Sequence, residues 1–163
     1  MTSDPFDQTE FRKTLGQFAT GVTIITTLAA DKTPVGITAS SFNSLSLDPP
    51  MVLWSLAKSA YSMTAFSAAK YYNIHILGRG QDEISNVFAS QGADKFCQVA
   101  CKDGLGGTPI LPEYAALFEC ESAHQYEGGD HIIFVGLVKS FKRNKQKPLV
   151  FHQGQYTGID SLI

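Results

Sequence analysis

The 163-residue chain lacks any apolar run approaching the roughly 18 residues that a membrane-spanning helix needs, so no segment reads as transmembrane. Cysteine is scarce and odd in number, three in all, with no framework spacing. Cys97 and Cys101 stand four apart, and Cys120 lies alone in an apolar segment. Without a CxxC pair or a nearby histidine pair, a tetrahedral zinc site has no ligand set. Reduced structural thiols are expected, with redox chemistry at Cys97 and Cys101 as the alternative and no metal. A basic excess is also missing: the formal charge is −2, which argues against a nucleic-acid partner. No G-x-G-x-x-G precedes a helix and no Walker A motif occurs, so neither Rossmann nor P-loop nucleotide binding is indicated. The opening MTSDPFDQTEF has no basic n-region or apolar h-region, which leaves the cytoplasm as the expected location. Repeats, linkers and low-complexity segments are absent as well.

What is present is ordinary globular material, 44% hydrophobic and 17% charged, expected to form one domain over residues 1–163. Asp4 followed by Pro5 is a plausible helix start, with Phe11, Leu15 and Phe18 on one face and Gly21 as the stop. The β-branched stretch 22–28 and the strand at 35–41 flank a polar turn at 29–34 and predict a hairpin. Met51–Leu56 is a further strand, Ser59 caps a short helix over 60–69, and Tyr71–Leu77 is another strand. Asn73 and His75 share one face of that strand. Gln81–Gln91 reads as a helix with Ile84, Val87 and Phe88 on one side, and residues 92–114 as a long surface excursion. Strands at 117–126 and 132–141 follow, joined by a tight turn at Glu127–Asp130, with short segments at 149–151 and 155–159. The sum is a mainly β fold with α additions, a small barrel of antiparallel, Greek-key-like strands.

The chemistry concentrates on either side of Met51–Leu56. Before it runs GITASSFNSLSLDPP, residues 36–50, where Thr38, Ala39, Ser40, Ser41, Ser44 and Ser46 form a small, hydroxyl-rich loop closed by prolines. After it come Ser55, Lys58, Ser59 and Ser62. Hydroxyls and free N–H groups at a strand end can meet the carbonyl oxygens and nitrogens of a flavin ring without imposing charge. Lys58 can neutralise a phosphate, and serines at a helix start add donors where the dipole favours an anion. Turn chemistry, and a solvated lysine beside a helix cap, are the plainer explanations of each half. Their order, ring cradle, strand, phosphate cradle, lets one ligand span both. His131, after the Gly128-Gly129-Asp130 turn, sits at a strand mouth and suits contact with a second ligand, a structural role being the alternative. His75, His124 and His152 are expected to be structural. The basic run Lys139, Lys142, Arg143, Lys145 and Lys147 is expected to be a solvated strand end; a patch for dinucleotide phosphates is the second option.

Six segments resemble the flavin reductase family with the FMN-binding split β-barrel: FRKTLGQFATGVTIITT (11–27), GITASSFNSLSLDPPMVLWSL (36–56), NIHIL (73–77), FASQGADKF (88–96), EGGDHIIFVGLV (127–138) and PLVFHQGQYTGI (148–159). The likeness is nearest to the reductase components of 4-hydroxyphenylacetate and phenol hydroxylases. It implies an NAD(P)H:flavin oxidoreductase, a homodimer that passes a hydride from NADH or NADPH to FMN or FAD and supplies reduced flavin to a partner monooxygenase. It also implies that Thr38, Ala39, Ser40 and Ser41 face the ring and that Ser55, Lys58, Ser59 and Ser62 lie along the ribityl phosphate. Phe88, Ala89 and Phe96 would border the flavin tail and nicotinamide side, and His131 and Tyr156 the nicotinamide pocket. No nucleophile or acid–base pair is needed, so no catalytic residue is assigned. A non-catalytic split barrel that carries or senses flavin or heme is the alternative reading.

Overall fold

The computed structural model describes residues 6–92 and 94–159. Its centre is a seven-stranded antiparallel sheet. In chain order the strands are β2 (Thr23–Leu28), β3 (Pro34–Ala39), β4 (Asn43–Leu47), β5 (Pro50–Ala57), β6 (Tyr71–Ile76), β9 (Ala116–Gly128) and β10 (His131–Arg143). Spatially they run β3-β2-β6-β9-β10-β5-β4, which puts β3 on one edge and β4 on the other. Only Ser40, Ser41 and Phe42 connect these two edges. Four Cα steps reach at most about 15 Å. Seven strands laid flat would set the edges about 29 Å apart. The sheet must therefore curl until its edges nearly meet, which is the split barrel.

Strand β4 departs from expectation, since residues 43–47 were expected to continue the hydroxyl-rich loop. Serine favours turns, but here the backbone of β4 pairs with β5, Ser44 opposite Val52 and Ser46 opposite Met51. The loop proper is three residues long. Asp48 and Pro49 make the turn into β5, with a cis bond between them. Strands β9 and β10 are joined by Gly129 and Asp130 alone, and Gly129 takes φ +69°, a conformation glycine enters without steric penalty.

The barrel is filled by aromatic side chains. Trp54 of β5 stacks on Phe134 of β10 at 4.6 Å and meets Phe66 and Tyr72 edge-on at 5.0 and 5.6 Å. Phe66 belongs to α2 (Met63–Ala68), which starts three residues later than the expected Ala60, because residues 57–63 wind through two turns first. A second core lies outside the barrel, where α3 (Asp82–Ala89) covers β2 and β3. Phe88 is fully buried there and Ile84 half-buried, but Val87 is turned outward. Gly36 of β3 admits Phe88, since a Cβ at that position would come within 2.5 Å of its ring. The last two strands, β11 (Leu149–His152) and β12 (Gln155–Gly158), join β1 (Thr20–Gly21) in a small separate sheet.

The first helix, α1 (Gln8–Leu15), is capped by Asp7, whose Oδ1 accepts from the N–H groups of Thr9 and Glu10 at 2.8 and 3.1 Å. The expected cap at Asp4 lies outside the described residues. The helix ends at Leu15, before the expected stop at Gly21, and Thr20 and Gly21 pair instead with β11. Phe11, Leu15 and Phe18 remain 47%, 59% and 79% exposed. No described helix is long and apolar enough to cross a membrane.

Residues 92–114 are not a surface excursion throughout. They contain β7 (Lys102–Asp103), a 3-10 turn at Leu105–Gly107 and β8 (Pro109–Ile110), and Thr108 to Leu111 are buried. Three buried polar side chains hold this segment down. Thr26 donates to the Pro109 carbonyl at 2.6 Å, and Asn73 donates to the Thr108 and Pro109 carbonyls at 3.1 and 3.2 Å. His75 Nδ1 donates to the Ile24 carbonyl at 2.9 Å, while Nε2 accepts from the Leu111 N–H at 3.0 Å. The polar face of β6 thus satisfies backbone groups that the buried segment would otherwise leave unpaired.

Burial holds the His75 imidazole down from 6.5 to about 4, against an opposing pull from the Ile24 carbonyl. In the unfolded chain it titrates near its ordinary value, so between those two pH values the unfolded state binds more protons and stability falls as pH falls. The loss reaches roughly 3 kcal/mol by pH 4. Urea unfolding at several pH values is expected to show this slope, and His75→Asn, which cannot charge, to lack that part of it.

Candidate functional site

The three residues that close the barrel also begin the candidate site. The Ser41 hydroxyl donates to the Ser55 carbonyl at 3.0 Å and accepts from the Ser55 N–H at 2.9 Å, which ties the loop to β5. Thr38 donates to the Ser85 carbonyl of α3 at 2.6 Å. Both hydroxyls are therefore engaged within the protein, while Ser40 between them is exposed and Ala39 half-buried. Tyr156 of β12 reaches the same helix, its hydroxyl 2.8 Å from Ser85 Oγ and donating to Asn86 Oδ1 at 3.0 Å. One helix thus links Thr38 to Tyr156.

Lys58 and Ser59 are exposed beyond the end of β5. The Lys58 N–H donates to the Asp130 carbonyl at 2.8 Å, and its ammonium pairs with the Glu127 carboxylate. His131 stands opposite Ala57 in the β5–β10 pairing, so the predicted phosphate and nicotinamide residues are neighbours. Its Nδ1 is 2.7 Å from Asp130 Oδ1, and that hydrogen bond holds the Asp130 carboxyl below its ordinary value. The helix end expected to attract an anion is modest: α2 has six residues, and its N-cap Ser62 makes no side-chain bond to it. The basic run from Lys139 onward begins eight residues along β10 from His131, roughly 26 Å of strand, and the structure does not bring it to this site.

Ser62, Phe88, Ala89 and Phe96 do come together, around a cleft of about 460 Å³ between β3, the turn before α2 and the segment after α3. Phe88 contributes a fixed wall, its ring meeting that of Phe96 edge-on at 5.0 Å. A depression of about 650 Å³ between α1 and the Gln153–Gly154 turn contains none of the predicted site residues. The residue that sequence reasoning missed is Lys95, on the wall of the 460 Å³ cleft. Its Nζ donates to the carbonyls of Gly36 at 3.0 Å and Phe88 at 2.8 Å, pinning the segment after α3 to β3 and to the helix C-terminus. Desolvation lowers its pKa. Nothing in a lone lysine within a glycine-punctuated stretch signals two carbonyl partners.

Residues 15–160 match the flavin reductase like domain family. The chain belongs to that family. A Rhizobium meliloti (strain 1021) protein named "Probable flavin reductase" is 40% identical over 156 residues, which are 96% of this chain but 50% of that relative, so the chain spans half its length. The reductase subunit HsaB of a flavin-dependent monooxygenase, from Mycobacterium tuberculosis (strain ATCC 25618 / H37Rv), is 38% identical over 97% of this chain and 86% of its own. Among solved structures, the NADH:FAD oxidoreductase SgcE6 of Streptomyces globisporus C-1027, in complex with NAD and FAD fragments, superposes with a TM-score of 0.89. It is 34% identical, over 96% of this chain and 95% of that one.

For a flavin reductase like domain, the donor set fits the ligand. Ser55, Ser59 and Ser62 offer neutral hydroxyls and Lys58 one cation, and among the described residues no cluster could hold a metal ion. Of these donors only Ser62 lines the cleft of about 460 Å³; Ser55, Lys58 and Ser59 lie outside its lining. Lys95→Ala removes both carbonyl bonds and is expected to lower stability by about 1–3 kcal/mol. Hydrogen exchange should show faster opening of residues 90–99, with Lys95→Arg restoring part of the protection.

Proposed function

We propose that this chain is an NAD(P)H:flavin oxidoreductase acting as the reductase component of a two-component flavin-dependent monooxygenase, cytoplasmic, as one domain over residues 1–163. The observation that carries the reading is the continuity of the site: the Ser41–Ser55 seam, Lys58 and His131 follow one another along the β5–β10 pair. The flavin, when bound, accepts a hydride from the reduced nicotinamide. Ser40 and the backbone of 38–41 meet the ring edge, held in place by the engaged hydroxyls of Thr38 and Ser41. Ser55, Ser59 and Ser62 donate along the ribityl chain, and Lys58 neutralises phosphate. Phe88, Ala89 and Phe96 exclude water from the ring face. His131, oriented by Asp130, borders the nicotinamide, and Tyr156 anchors that side to α3. No nucleophile–base pair is required of the chain, whose part is orientation and electrostatics.

The purified protein is expected to oxidise NADH or NADPH only when FMN or FAD is present, in a coupled absorbance assay. A Soret band in place of flavin-dependent turnover would favour a heme carrier. His131→Ala should raise the KM for nicotinamide more than that for flavin; equal effects would remove His131 from the nucleotide side.

The uncovered Phe11 and Leu15 of α1, with Phe18 just beyond it, support a homodimer in which a second copy covers the α1 region, since adjoining exposed apolar groups mark an interface. Light scattering should give twice the 17.7 kDa chain mass, and Leu15→Asp should shift the mass toward that of the single chain.

A further inference from the structure

The end of the β9–β10 hairpin carries an acidic residue, Glu127, beside the proposed phosphate contact. Glu127 lies opposite Ile132 on β9, two strands away from Lys58, whose side chain crosses the end of β10 to reach it. The backbone N–H of Lys58 is already fixed to Asp130, so the same hairpin holds both ends of the lysine. Asp130 is engaged with His131, which leaves Glu127 as the carboxylate on the Lys58 ammonium among the described residues.

We propose that Glu127 is a specificity-determining residue that competes with the phosphate of the incoming flavin nucleotide for Lys58, keeping the flavin exchangeable. The proposal rests on Lys58 being the phosphate contact, as read above. A phosphate and the Glu127 carboxylate are both anions that draw on the single charge of the Lys58 ammonium, so each weakens the hold of the other. The competitor is weak enough to yield. The side chains of Lys58 and Glu127 are 42% and 78% exposed, and solvent-exposed pairs contribute little net stability. It is also strong enough to matter, because the Glu127 carboxylate is in direct contact with the Lys58 ammonium. An arriving phosphate meets a site already neutralised, which favours fast release over tight retention. A reductase whose product must leave for an oxygenase benefits from that balance.

The test compares FMN with riboflavin, which has the same ring and no phosphate, by fluorescence titration of the full chain. Glu127→Gln should tighten FMN about two- to fivefold at low salt. Riboflavin affinity should stay unchanged, and the FMN gain should shrink in about 0.5 M salt as screening grows. Lys58→Ala should weaken FMN and leave riboflavin alone, and in that background Glu127→Gln should tighten FMN much less. If Lys58→Ala weakens FMN while Glu127→Gln alters neither flavin, or both equally, the competition is overturned and the phosphate contact stands. If Lys58→Ala leaves FMN unchanged, the phosphate contact itself falls, and the competition with it.

Discussion

Strands β3 and β4 are consecutive in the chain yet occupy opposite edges of the seven-stranded sheet, so Ser40, Ser41 and Phe42 must span its seam. The two edge strands do not pair with each other; the linker between them is fixed by the two-way bond between Ser41 and Ser55 of β5. That bond gives the small polar residues of the loop a defined position. It also shows why a run of hydroxyls occurs here: one staples the seam, one anchors α3 through Ser85, and Ser40 stays on the surface. The barrel closure and the candidate ligand site therefore share one set of atoms.

Around this seam, buried polar groups are used for position rather than for chemistry. Thr26, Asn73 and His75 hold the segment at 108–111, and Leu105 is held by the Glu119 carboxylate at 2.8 Å. Lys95 does the same for the segment after α3. These bonds keep long, glycine-containing connections against the sheet, where unpaired backbone groups would be costly. Cys120 is buried in the barrel core and its thiol is pushed up to about 12 by desolvation, which makes it an inert filler rather than a redox group.

Charge is sparse where the ligand is proposed to bind. Lys58, Glu127, Asp130 and His131 sit on the exposed end of three adjacent strands, while the cleft adds Asp94 and Lys95, the latter bound to two carbonyls, among hydroxyls, N–H groups and rings. Such a surface orients a flat polar-rimmed ligand with modest electrostatic grip, and the family's reaction needs orientation more than it needs charge.

The barrel strands at 23–28, 50–57, 71–76, 116–128 and 131–143 were legible to within a few residues at their ends because β-branched and apolar residues cluster between turn residues, and the hairpin turn at Gly129 because few residues tolerate its backbone. The motif-bearing stretches 36–56 and 127–138 were enough to indicate the family. What the sequence could not determine was contact across distance. Strand β4 was hidden because its serines are turn-formers locally and become strand only through pairing with β5. The burial of 108–111 depends on side chains from β2 and β6, more than thirty residues away in each case. Lys95 and Glu127 gain meaning only from partners that folding brings near, Gly36 and Phe88 for one and Lys58 for the other. Local periodicity is a property of neighbours in the chain; ion pairs and buried hydrogen bonds are properties of neighbours in space.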